Sequence, residues 1–146
     1  MADRVAGYFR PRLPKHANAI DLRVDAPGAG PDVYGDPILL EWALESLLKN
    51  AIDALKGRQG SITIEVRAEK NMAVLRIIDD GPGVPKEIRR EIFQPGTTTK
   101  EGGWGIGLAL ARRVVEENHD GSLMLETAEH GAVFAVMLPV ADQDTA

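Results

Sequence analysis

The chain has no cysteine. That single absence removes disulfide frames, thiolate zinc sites and thiol nucleophiles from consideration. Positive charge is also scarce: 17 Lys and Arg stand against 22 Asp and Glu, a formal net charge of −5. Such a balance argues against nucleic acid or an anionic membrane surface as partner. It also means that a polyanionic ligand must be held by local donors and a counter-cation, not by the overall field. No apolar run approaches the ~18 residues of a membrane span. The first residues, MADRVAGYFRPRLPKHAN, lack the apolar core of a signal peptide. A cytoplasmic setting follows as the expectation, with no direct membrane contact by this chain even if a longer parent is membrane-anchored. Internal repeats and low-complexity tracts are missing too.

What remains is ordinary. The 146 residues are 44% apolar and 27% charged, enough for one globular domain with a real core. Residues 1–19 carry two prolines and scattered basic residues and read as a linker. Residues 20–140 read as the domain, and 141–146 as a tail. Ile20 to Val24 alternates as a strand. Asp36-Pro37 is an N-cap followed by proline at the first helical position, and the helix runs to about Lys56, with Gly57 as its stop. Residues 61–68 and 72–78 read as adjacent strands joined by a Glu-Lys-Asn turn. Residues 85–92 resemble a short helix and 93–104 a loop. A second helix spans Ile106 to about Asn118, with Ile106, Leu110, Val114 and Val115 as its apolar positions and Gly121 as terminator. Residues 122–127 and 132–140 form a closing hairpin. This order predicts an α+β two-layer sandwich: one mixed sheet with helices on one face.

Three places carry chemistry. On the first helix, Leu40, Leu44, Leu47, Ala51 and Leu55 form the core stripe. Ser46, Asn50 and Asp53 fall together on another side, which in most helices is simply a solvated face. Asn is a middling-to-poor helix former, however, and its amide oxygen is a hard ligand suited to Mg²⁺. Asp79 closes an apolar strand, where its carboxylate can accept a hydrogen bond from an exocyclic amine. Gly81 and Gly83 then let the backbone turn and approach a flat ring closely, although Asp-Gly and Pro-Gly turns are common everywhere. Finally, Gly102-Gly103-Trp104-Gly105-Ile106-Gly107 runs into a helix whose free N-terminal amides suit phosphate. Thr97, Thr98, Thr99 and Lys100 stand just upstream. The spacing matches neither a P-loop nor a dinucleotide fingerprint.

The order of these segments resembles the GHKL ATPase/kinase superfamily. KNAIDAL at 49–55 looks like its N box, and DDGPGVP at 79–85 like its G1 box. EIFQPGTTTK at 91–100 looks like the F box and the start of the ATP lid. GGWGIGLALARRVVEENHDGSL at 102–123 looks like the G2 box, and GAVFAVMLP at 131–139 like the final strand. The resemblance covers roughly residues 20–140 and is nearest to the catalytic, ATP-binding domain (HATPase_c) of bacterial sensor histidine kinases.

That resemblance implies a Bergerat fold holding ATP between the N-box helix and the lid. Asn50 would ligate Mg²⁺ and Asp79 would recognise adenine, in a pocket shaped by Gly81, Gly83 and Val84. Ser46 and Asp53 would flank the nucleotide from the same helix as Asn50. Phe93 would anchor a lid that includes Thr98, Thr99 and Trp104. Lys100 and the amides of Gly103, Gly105, Ile106, Gly107 and Leu108 would contact phosphates. Asn50 and Lys100 would be the catalytic groups.

The implied partners are a phosphoacceptor-histidine hairpin of a homodimeric parent and, downstream, a response regulator. None of His16, His119 and His130 lies on an amphipathic hairpin. The chain is therefore expected to be monomeric and unable to phosphorylate itself. At three positions the chain departs from the family pattern. Ser46 stands where relatives carry Asn, or where ATP-hydrolysing members carry a Glu that activates water. Trp104 replaces a small polar residue. The final strand has Val133 in a segment where many relatives have a Thr. The alternatives are a GHKL ATPase, an anti-sigma-factor-type serine kinase, or a degenerate module used only for protein contacts.

Overall fold

The computed structural model describes residues 20–26, 33–55, 60–81, 83, 84, 89, 92, 93, 105–126 and 130–140. The elements are β1 (Ile20–Asp25), α1 (Pro37–Leu55), β2 (Gly60–Glu69), β3 (Met72–Asp79), α2 (Gly105–His119), β4 (Ser122–Glu126) and β5 (Ala132–Pro139). The expected linker over 1–19, the tail over 141–146 and the helix stop at Gly57 lie outside the described residues. So does nearly all of the short helix expected at 85–92, of which only Arg89 and Ile92 are described, both in turns.

Asp36 starts α1 as the sequence suggests. Its Oδ1 accepts hydrogen bonds from the Ile38 and Leu39 amides at 2.9 and 3.3 Å, satisfying donors that have no partner within the helix. The strands form one sheet in the order β1-β2-β3-β5-β4. β1 and β2 pair in parallel, so the chain must cross over between them, and α1 is that crossover. All other pairings are antiparallel. The β2–β3 hairpin turns at Lys70, which adopts φ +56°.

Register decides which side chains face the helices. Ile64, Ile77, Phe134 and Leu125 stand in line across four strands. With Leu22, Ile62, Leu123 and Val136 they meet the apolar faces of α1 and α2 in one core. The row one residue along, Glu65, Arg76, Ala135 and Met124, points the other way. On that outer face Arg76 pairs with Glu126 at 2.8 Å, Glu69 at 3.1 Å and Glu65 at 3.4 Å. Arg67 joins Asp25 at 2.7 Å.

The core stripe of α1 is broader than its wheel predicts: Ala43 and Leu48 are buried alongside Leu40, Leu44, Leu47, Ala51 and Leu55. On α2 one expectation fails. Leu110 is 39% exposed, while Leu108 and Ala111 join Val114 and Val115 inside. An apolar side chain one step off the buried arc reads the same as a core residue in a sequence.

The ends of the helices are tied together. The Nδ1–H of His119 donates to the Val114 carbonyl at 2.8 Å. Its Nε2 accepts from the Asp36 amide at 2.9 Å, so the imidazole is the neutral Nδ1–H tautomer. The end of α2 thus meets the start of α1. Beyond His119 the chain turns at Asp120, φ +55°, and the Gly121 amide donates back to the Val115 carbonyl at 2.9 Å. A Cβ at Gly121 would lie 2.1 Å from the Met137 carbonyl oxygen, so only glycine fits there.

Candidate nucleotide-binding site

Among the described residues the buried polar side chains are Asn50, Asp79 and His119, at 6%, 3% and 7% exposure. His119 is accounted for by the helix tie. Asn50 and Asp79 are the other two, and sinking a carboxylate into an apolar interior costs several kcal/mol unless it is compensated. They lie in the two layers of one core. Asn50 is in the penultimate turn of α1, next to buried Ala51. Asp79 is the last residue of β3, beside Ile62 and Ala132 in the ladder.

The face of α1 that reads as solvated is therefore divided. Ser46 and Asp53 are half-buried and Asn50 is buried. The crossover helix packs on β2 and β3 and against α2, so its polar row sits at the boundary of the layers rather than in bulk water.

Asp79 is held from several sides. Its Oδ1 accepts the Gly81 amide at 2.9 Å, fixing the first bend after the strand. Gly131, in the β4–β5 connection, has φ +71°, and a Cβ there would fall 1.8 Å from the Asp79 carbonyl oxygen. Gly83, at φ +80°, presses on Gly131 in turn, where a Cβ would stand 2.8 Å from its carbonyl oxygen. The two glycines let two loops touch backbone to backbone. The neighbouring Asp80 reaches back to β2. Its Oδ1 accepts the Ser61 amide at 2.9 Å, its Oδ2 accepts the Ser61 hydroxyl at 3.3 Å, and its own amide donates to the Ser61 carbonyl at 3.3 Å.

Val84 and Phe93 pack against the core. The ring of Phe93 meets Phe134 edge-on, 6.0 Å between centroids, and the Arg112 guanidinium lies 5.0 Å above it. This stack ties Phe93 to α2, the helix that follows the segment read as a lid. Gly105, Ile106 and Gly107 are the first three residues of α2, where N–H groups have no acceptor within the helix and can meet an anion. Leu108, the fourth, carries a core side chain, 2% exposed. Thr97, Thr98, Thr99, Lys100, Gly103 and Trp104 lie outside the described residues.

Three residues escaped the sequence reading. Asp80 looks like a motif spacer, Gly131 like a turn residue, and Arg112 like a surface charge. The partners that give them meaning are 19 to 52 positions away in the chain, and no local pattern marks them. Among the described residues no group of three or more His, Cys, Asp or Glu could hold a metal ion.

The family of histidine kinase-, DNA gyrase B- and HSP90-like ATPases matches residues 35–142. The C4-dicarboxylate transport sensor protein DctB of Rhizobium meliloti is 35% identical over 94% of this chain and 22% of its own length. The sensor histidine kinase ZraS of Salmonella typhi is 37% identical over 83% of this chain and 26% of its own. The chain thus spans between a fifth and about a third of such relatives. The catalytic domain of histidine kinase ThkA superposes with TM-score 0.84 at 30% identity, covering 94% of this chain and 89% of that one. A second ThkA structure, in complex with the response regulator protein TrrA, gives TM-score 0.80 at 27% identity, covering 96% of this chain and 39% of that one. With its sheet layered under two helices, its glycine-flanked Asp79 loop and its α2 mouth, the chain belongs to the histidine kinase-, gyrase B- and HSP90-like ATPase family, as an ATP-binding catalytic domain of the sensor histidine kinase type.

Proposed function

We propose that this domain binds Mg·ATP between α1 and the N-terminus of α2 and presents the γ-phosphate to a histidine on a helical hairpin outside this chain. The observation that carries the reading is the pair of buried polar side chains, Asn50 and Asp79, lodged in facing layers of an otherwise apolar core. The Asp79 carboxylate would accept the adenine amine, and the α2 amides would meet the phosphates. The Asn50 carboxamide suits Mg²⁺ as a single protein ligand, because this ion keeps its phosphates and waters. The ion would there neutralise phosphate charge.

In the transfer step a histidine nitrogen attacks the γ-phosphorus, the bond to the bridging oxygen breaks, and ADP leaves. Positioning and charge neutralisation account for most of such catalysis. Ser46 supports transfer over hydrolysis, since a hydroxyl in that place cannot deprotonate water as a carboxylate would. A response regulator downstream and a cytoplasmic setting fit this reading, as does a parent dimerised through the hairpin.

An apolar face supports a helical partner. A groove of about 760 Å³ runs between α1 and α2, and Ile38 (76% exposed), Trp42 (37%) and Leu110 (39%) project at it. Exposed apolar clusters of this kind mark contact surfaces.

The test is thermal unfolding with and without Mg·ADP. Ligand at ~100 times its dissociation constant adds ~2.7 kcal/mol of stability. Asp79→Asn and Asn50→Ala each reduce the shift, the second in a magnesium-dependent way. Full shifts in both variants would remove the assignment.

A further inference from the structure

We propose that Asp80 is a positioning residue for adenine recognition: its clasp on Ser61 fixes the angle at which the neighbouring Asp79 meets the base. The proposal rests on the nucleotide reading above. Asp79 and Asp80 are consecutive and do opposite things. Asp79 points into the core and Asp80 out to the edge of β2, as the two-residue period of a strand requires.

The regular β2–β3 pairing ends at Ile62 and Asp79. Without the clasp, β3 would be free to fray at the residue that carries the buried carboxylate. The clasp extends the pairing by one position, Asp80 opposite Ser61, with three hydrogen bonds in two directions.

A second observation points the same way. Gly60 leaves room for this carboxylate: a Cβ there would lie 2.7 Å from Asp80 Oδ1 and 2.7 Å from Leu55 Cδ2. Leu55 is the last residue of α1, so the carboxylate, the start of β2 and the end of the nucleotide helix meet at one point. On its other flank Asp79 is braced by Gly131. It is thus fixed from β2 through Asp80 and from the β5 side through Gly131. The Gly131 brace is backbone alone; two of the three Asp80 bonds come from its side chain and can be removed without touching the backbone one.

Calorimetric titration with ADP and with inosine diphosphate, both with Mg²⁺, tests this. The two ligands differ at the base position that an adenine-reading carboxylate senses. Wild type prefers ADP. Asp80→Ala weakens ADP binding about tenfold, the scale of one charge-assisted hydrogen bond network lost, while inosine diphosphate is little affected, so the preference collapses. Gly60→Ala, which crowds the carboxylate without removing it, acts in the same direction and carries the test if Asp80→Ala does not fold. Asp80→Asn keeps an acceptor for the Ser61 amide and restores the preference.

Equal loss for both ligands, or undiminished preference in Asp80→Ala and Gly60→Ala, overturns the proposal and leaves the nucleotide site standing. Failure of Asp80→Asn to rescue overturns it as well. A wild-type protein that binds neither ligand brings down the nucleotide reading itself.

Discussion

Lys70 holds a left-handed backbone, φ +56°, at the tip of the β2–β3 hairpin. For a residue with a Cβ that conformation costs about 1–2 kcal/mol, and glycine escapes it at some entropic cost of its own. Lys70→Gly is therefore expected to stabilise the domain by about 0.5–1 kcal/mol, read as a higher urea midpoint at unchanged slope. Gly131 behaves in the opposite sense. Its missing Cβ makes way for the Asp79 carbonyl oxygen, 1.8 Å from where the Cβ would sit. Gly131→Ala should cost more than about 3 kcal/mol or displace the Asp79 loop; a near-neutral urea curve together with unchanged nucleotide binding would contradict this. Both residues belong to turns that a sequence marks only as turns. Asp79 stood out as a candidate only through the order of the motifs around it, because an acid closing an apolar strand ahead of Gly81 and Gly83 is by itself a common turn. The tight approach of Gly131 was not legible, because it depends on a loop 52 residues away.

The elements of this fold are held by ties at their ends as much as by their apolar faces. The helices were legible in outline from an Asp-Pro start, a leucine stripe and a terminal Gly121. Which side of α2 is wet was not, and Leu110 lies outside the core because α1 covers a narrower arc than the apolar residues span. His119, anchored to the Val114 carbonyl of its own helix, links the two helices by one hydrogen bond, accepted from the Asp36 amide. His119→Ala would leave that amide without its acceptor and open a cavity beneath Gly35, whose Cα side faces the ring. A loss of about 2–3 kcal/mol is expected, with the dissociation constant of the folded fraction for Mg·ADP unchanged, since the tie is at the far end of α1 from Asn50. Leu110→Ser, by contrast, should move stability by no more than about 0.5 kcal/mol while weakening any hairpin contact made through the groove.

Across the whole molecule, the two sheet faces divide the work: one carries the core, the other a lattice of charges. The hydrogen bond to Glu126, helped by Glu69, holds the Arg76 guanidinium above its ordinary range against a burial that opposes it. A raised value means that the contribution is complete at every pH below that of an unfolded arginine, and is lost only in strong alkali. The network therefore gives no pH dependence through Arg76 between about pH 6 and 10. Arg76→Met would leave Glu65, Glu69 and Glu126 facing one another. A loss of about 1–2 kcal/mol is expected at low salt, shrinking as ionic strength rises and screens the acids; a salt-independent loss would point to packing instead. This outer lattice is hidden from a sequence because its members come from three strands and only the register aligns them.

β3 is flanked on both sides, by β2 and β5, and it ends in Asp79. Its amides should be the slowest in the domain to exchange with deuterium, opening only when the whole molecule opens. The carboxylate proposed to read the base is thus mounted on the last part to come undone. A destabilising substitution elsewhere should lower how many molecules in a sample are competent, seen as reduced titration stoichiometry, while those still folded keep their grip on ADP.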